Sequence, residues 1–190
     1  MNENFNSDII ISLKVLKNDG IILYPTDTIW GIGCDATNAG AIRKIYALKN
    51  REEKKSMIIL VAHEEDIKRY ISDPSQKIID FISEQVTPTT AIFENAINLP
   101  RELINADGSI AIRIVKDDFC KALLMRLSNP VIATSANVSG NGSPKNFLDI
   151  SPEIKNGVDY IVQHRQDELQ MYQPSSIIKL HSLNEIEKIR

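Results

Sequence analysis

The rhythm of apolar and polar positions changes several times along this chain, and each change predicts an element. Residues 21–24 are Ile, Ile, Leu and Tyr, an apolar run too short for a helix and closed by Pro25, which has no N–H to give to a ladder. It predicts a buried strand. Residues 57–62, MIILVA, form a second unbroken run, as expected of a strand covered on both faces. Shorter strands are predicted at 89–93, 131–133, 158–162 and around Ile177 and Ile178. Residues 109–114 alternate strictly, with Ser109, Ala111 and Arg113 on one face and three isoleucines on the other.

Between these runs the period lengthens to that of a helix. Ser7 is placed to cap a helix carrying Ile10, Leu13 and Leu16, closed by Gly20. Asn38 is placed to cap one carrying Ile42, Ile45, Tyr46 and Leu48. Further helical pieces begin near Glu64 (Ile67, Ile71), near Pro74 (Ile78, Ile79, Ile82) and at Asp117 or Asp118 (Phe119, Leu123, Leu127), and the tail reads as a short acidic helix. Strands interleaved with helices predict an α/β fold, and 190 residues suffice for one domain, taken as 1–190.

Composition narrows the function classes. With 22 Lys and Arg against 25 Asp and Glu the net charge is −3, which does not favour broad attraction to nucleic acid or to an anionic membrane. Two cysteines stand alone, three histidines are scattered, and no cationic stretch leads into an apolar signal, so a cytoplasmic location is expected and a zinc site or His-centred triad is not.

The chemistry gathers at predicted strand ends. Thr26, Asp27 and Thr28 follow the first strand, where open α/β sheets place ligands, and a hydroxyl- and amide-rich loop runs from Thr134 to Ser143. Lys49, Arg51, Lys54 and Lys55 follow the second helix. Interrupted by Glu52 and Glu53, they would form a solvated helix end if taken alone, whereas beside the hydroxyl-rich strand ends they suit a phosphate. Gly31, Gly33 and Ala36 match G-x-G-x-x-A with Glu52 beyond. The glycines, however, neither leave a strand directly nor open a helix, and a tight backbone path is expected instead of a dinucleotide site.

Taken in order, YPTDTIWGIGCDA, the Lys-x-Arg of Lys49 and Arg51, the threonine-rich strand at Thr89, the Ala-x-Arg strand at Arg113, ATSANVSG with Ser135 and Asn137, and Ser175 before the last strand resemble the YrdC-type threonylcarbamoyl-AMP synthases from about Gly20 to Leu180. The resemblance implies a YrdC-like twisted mixed sheet flanked by helices, with a large basic cavity. It implies a reaction that joins L-threonine, bicarbonate or CO2 and ATP into threonylcarbamoyl-AMP and pyrophosphate, for modification of tRNA adenosine 37. By the same resemblance Lys49 and Arg51 are catalytic and hold ATP phosphates with Lys55, while Ser109, Asn137 and Ser143 complete the nucleotide site. Thr28, Arg113, Ser135 and Ser175 hold threonine. Mg2+ is expected to accompany ATP, without a nameable protein ligand. Partner proteins of tRNA modification are expected, with tRNA contact weak or indirect and no membrane.

The sequence also departs from the family. Glu52 and Ser56 replace prolines, Thr87-Pro88-Thr89 replaces Pro-Gly-Pro, Trp30 replaces a tyrosine, and Leu60 stands where many members carry a histidine that helps to hold threonine. Two other readings stay open: a sister enzyme with another carbamoylation substrate, and an RNA-binding module, the latter disfavoured by 6% aromatic content and the acidic balance.

Overall fold

A computed structural model describes residues 5–51, 57–182 and 185–190. Among these, nine strands form one mixed sheet: β1 (Ile22–Tyr24), β2 (Gly31–Gly33), β3 (Ile58–Val61), β4 (Thr89–Phe93), β5 (Ile110–Ile114), β6 (Val131–Ser135), β7 (Tyr160–Ile161), β8 (Ser176–Ser182) and β9 (Glu185–Lys188). The order across the sheet is β7-β1-β2-β6-β3-β5-β4-β8-β9. Three neighbouring pairs are parallel (β1 with β7, β3 with β5, β4 with β8) and five are antiparallel, three of the latter running in succession from β1 through β2 and β6 to β3. The helices are α1 (Asn6–Lys17), α2 (Ala39–Leu48), α3 (Gln76–Glu84), α4 (Asp118–Leu127) and α5 (Pro152–Asn156). No described helix is long and apolar enough to cross a membrane.

The apolar runs sit at the centre, as their two-sided hydrophobicity requires. Ile22, Leu23, Ile32, Ile59, Ile112 and Ile132 are fully buried. Two of the predicted caps form: the Asn38 side chain accepts from the Ala41 amide at 3.0 Å, and Asp117 accepts from Cys120 at 2.8 Å. Gly33 allows a close approach, since a Cβ there would lie 2.4 Å from the Ile132 carbonyl and 2.6 Å from the Tyr24 ring. The two glycines of the G-x-G match therefore belong to a strand wedged between Tyr24 and β6.

Four expectations are corrected. Ser7 lies inside α1 and caps nothing; the Asp8 carboxylate holds the start of that helix by accepting from the amides of Gln163 (3.0 Å) and His164 (2.9 Å). The piece near Glu64 is a short 3-10 helix, Glu64–Arg69, and Ile71 falls outside it in a bridge with Ala96. The strand expected at 131–133 runs on to Ser135 because Thr134 and Ser135 pair with Ile32 and Gly31. The tail is the strand β9 and not a helix; it pairs antiparallel with β8 and occupies ladder groups that β8 would otherwise leave open at the sheet edge.

Candidate functional site

The loop between β1 and β2 is fixed by its own hydroxyls. Thr26 donates to the Ile29 carbonyl at 2.8 Å, and its oxygen accepts from the Thr28 amide at 3.0 Å. With its one proton committed, Thr26 must also accept from the Thr28 hydroxyl, 2.9 Å away. Both threonines are buried, and the lone pairs of Thr28 remain to face a cleft that they help to line.

Arg113 reaches the same cleft from β5 and is 2% exposed. Its register partner in β3 is Leu60, itself fully buried, so the position where many family members carry a histidine lies next to Arg113 across the ladder but does not line the cleft. Arg113 Nη2 stands 2.9 Å from Asp27 Oδ1, close enough for charge pairing. The N–H directions nevertheless miss the oxygen: Nε and Nη2 of Arg113 and Oδ1 of Asp27 have no hydrogen-bond partner. A buried guanidinium with two unspent donor nitrogens, neutralised but not saturated, has the donor pair that a bidentate carboxylate would take.

The basic turn after α2 splits its two cations. Asn50 takes the left-handed conformation (φ +46), its amide donates to Ala47 and the Arg51 amide donates to Tyr46, closing the helix with a Schellman motif. Arg51 emerges into the cleft, where burial lowers its pKa. Lys49 turns inward instead and is 1% exposed, so it is not a solvated helix end. Its amine donates to the carbonyls of Ser135 and Asn137, the latter at 2.5 Å, and the Lys49 carbonyl accepts from the Ser139 amide. Burial, and then Arg51, lower its pKa to about 8.

Of the residues singled out in the sequence, Thr28, Arg51, Arg113, Ser135, Ser143 and Ser175 come together in the cleft. Ser175 bonds the Thr90 hydroxyl at 2.8 Å. Asn137 lies in the loop clamped by Lys49: its amide nitrogen donates to Val138 and Asn141, which fixes the amide orientation, and Oδ1 is left buried without a partner. Ser109 does not line the cleft, its hydroxyl donating to Asp107 at 2.6 Å and accepting from Asn105. Lys55, Glu52 and Ser56 lie outside the described residues.

The structure adds Arg190, which sequence reasoning missed. From beyond β9 its guanidinium lines the cleft, donates from Nε and Nη2 to the Ser175 carbonyl at 3.2 and 3.1 Å, and has its pKa lowered by burial and by Arg113 nearby. EIEKIR has its two isoleucines three apart, a helical spacing, so no local signal pointed to the strand or to Arg190 beyond it. Trp30 forms an aromatic wall backed by Phe147, ring centroids 4.9 Å apart, with the Lys155 amine 4.4 Å from the Phe147 centroid. The cleft thus offers three guanidiniums, several hydroxyls and one aromatic face, which suits an anionic ligand with a polar small-molecule end and a flat group.

Comparison with known proteins gives the family and the fold. The profile of the Sua5/YciO/YrdC family, described as telomere recombination, matches residues 14–190. A threonylcarbamoyl-AMP synthase of Pseudoalteromonas translucida is 28% identical over 159 residues, 82% of this chain and 85% of that protein. One of Escherichia coli O157:H7 is 32% identical over 144 residues, 74% and 76% of the two chains. The crystal structure of P. abyssi Sua5 complexed with L-threonine superimposes with a TM-score of 0.85 at 20% identity over 97% of this chain. The present chain spans 54% of that longer one.

Proposed function

The chain belongs to the Sua5/YciO/YrdC family, and from that premise we propose that it joins L-threonine, bicarbonate or CO2 and ATP into threonylcarbamoyl-AMP, releasing pyrophosphate, with residues 1–190 acting as one domain. The observation that carries the reading is Arg113: a buried guanidinium with unspent N–H groups, flanked by the hydroxyls of Thr28 and Ser175. The threonine carboxylate takes Arg113, with Thr28, Ser175 and Ser135 around the rest of the amino acid. Arg51, Arg190 and Ser143 face the phosphates, and the Asn137 loop borders the nucleotide. Ser109, committed to Asp107, is left out of the contacts.

The threonine amine adds to CO2 and loses a proton, giving an N-carboxylate. One of its oxygens attacks the α-phosphorus of ATP, the bond to the β-phosphate oxygen breaks, and pyrophosphate leaves. No protein nucleophile is needed, and the cysteines could not serve: Cys34 and Cys120 are buried, with thiol pKa values raised chiefly by burial. The chain contributes position and positive charge, from Arg51 directly and from Lys49 behind the loop. Among the described residues no group of three or more His, Cys, Asp or Glu could hold a metal ion. Mg2+ that accompanies ATP would be held chiefly by the phosphates and water, and no step is routed through it.

The product serves the threonylcarbamoyl modification of tRNA adenosine 37 and passes to partner proteins, with direct tRNA contact weak at a net charge of −3. Threonylcarbamoyl-AMP synthases among the relatives do not favour an RNA-binding module or a sister carbamoylating enzyme. The test is pyrophosphate release with each substrate withheld in turn. Release requires ATP, bicarbonate and L-threonine together, and equal release without threonine overturns the reading. Arg51→Ala lowers product formation by on the order of 100-fold, as for other preorganised charge donors.

A further inference from the structure

We propose that Arg165 is the positioning residue for the amino-acid half of the cleft, holding the Thr26–Thr28 loop and the strap that ends at Ser175 in one arrangement. The proposal rests on the threonine-binding reading above. Arg165 itself does not line the cleft. Its backbone adopts φ +68, a conformation that costs a residue with a side chain and costs glycine nothing. A strained arginine is retained where its side chain is needed, and this one makes four contacts. Nη1 donates to the Thr26 carbonyl at 3.2 Å and to Asp117 Oδ2 at 3.0 Å, and Nε donates to Glu168 at 2.7 Å. The guanidinium also lies over the Tyr172 ring, 5.0 Å from its centroid.

Each contact leads towards the proposed threonine site. The Thr26 hydroxyl orients Thr28, so a restraint on the Thr26 carbonyl restrains the Thr28 lone pairs. Asp117 is the N-cap of α4, a rigid anchor. Glu168 and Tyr172 lie on the segment that delivers Pro174 and Ser175 to the cleft, and the Tyr172 hydroxyl donates back to Glu168 at 3.3 Å. One side chain therefore ties both walls of the amino-acid pocket to the same helix end. Among its recorded contacts, none goes to Arg51 or Ser143 on the phosphate side.

The experiment compares Arg165→Ala, Arg165→Gly and Arg165→Lys in the full chain. Alanine and glycine lose the same contacts, but only glycine relieves the backbone, so the glycine variant melts about 2–4 °C above the alanine variant. Both raise the KM for L-threonine about tenfold with the KM for ATP unchanged, and lysine, which keeps the charge but not the fork, recovers part of the loss. If the threonine KM instead returns to the parent value in the glycine variant, following stability, Arg165 is merely structural and the proposal fails.

A second arm needs no substrate. The Thr28 amide donates to Thr26 Oγ1, so its hydrogen exchange reports the order of that loop. In Arg165→Ala it exchanges about tenfold faster, an opening constant of the same size as the KM effect. The Ile132 amide, bonded to the Cys34 carbonyl in the sheet, is unchanged. Unchanged Thr28 exchange overturns the proposal whatever turnover shows. A parent protein whose turnover ignores threonine overturns the synthase reading alone, and the exchange arm still decides the role of Arg165.

Discussion

Two buried cations, Arg113 and Lys49, show how differently one charge can be used. Arg113 keeps donors unspent, so its geometry matters more than its charge. Arg113→Lys preserves the charge but replaces a planar fork by a point, and kcat/KM for threonine should fall by roughly the value of one charged hydrogen bond, about 1.5–3 kcal/mol, with the KM for ATP unaltered. Steady-state kinetics with each substrate varied would measure it, and an unchanged threonine dependence would remove Arg113 from that role. Lys49 is spent on two carbonyls, and a neutral amine, with two N–H groups, still satisfies both. Its pKa of about 8, against 10.5 ordinarily, means that between these values the unfolded chain holds the extra proton. Stability therefore rises with pH across that window; below about 8 both states are protonated and the fold bears the full cost of the buried charge. Urea midpoints of the parent and Lys49→Met should accordingly diverge in the parent's favour from pH 8 to about 10.5, and a constant difference would refute the titration. The sequence showed Lys49 and Arg51 as neighbours, and nothing local distinguished the one that turns inward. That depends on carbonyls 86 and 88 residues away.

At the scale of elements, the turn after α2 separates those cations, and Asn50 sets the turn. Asn50→Gly, free at positive φ, should leave folding and turnover close to the parent. Asn50→Ala should lose about 1–2 kcal/mol of stability and part of the turnover, because the strained turn no longer aims Arg51. Thermal melting paired with pyrophosphate release checks both, and an alanine variant equal to the glycine variant would show that the turn tolerates any residue. Elements with a strong local period were legible: Asn38 and Asp117 cap as read, and β4 has the bounds expected. Elements defined by a partner were not. GIG carries no strand signal, and β2 exists because β1 and β6 flank it. The tail EIEKIR has enough charge to pass for a helix, and only the open edge of β8 makes it a strand. Missing that strand also hid Arg190.

Across the whole molecule, the cleft draws on seven separated stretches of chain: the β1–β2 loop, the end of α2, the start of β3, β5, β6 and its following loop, the strap that leads into β8, and Arg190. Ligands held in a cleft so assembled can bind only the folded state, so each at 100 times its Kd should add about 2.7 kcal/mol to stability. Melting with ATP alone, threonine alone and both would test this, and Arg51→Ala should lose the ATP increment while keeping its unliganded melting temperature. A variant still fully protected by ATP would take Arg51 out of the nucleotide site. The same dispersion also fixes an order in time. Thr28 and Ser175 face each other only after nearly 150 residues of chain have closed between them, and contacts of such separation form late because loop closure must come first. In refolding from urea, helical signal should therefore recover well before the protein can capture its substrates. A chain caught midway, already compact, would be invisible to both ATP and threonine.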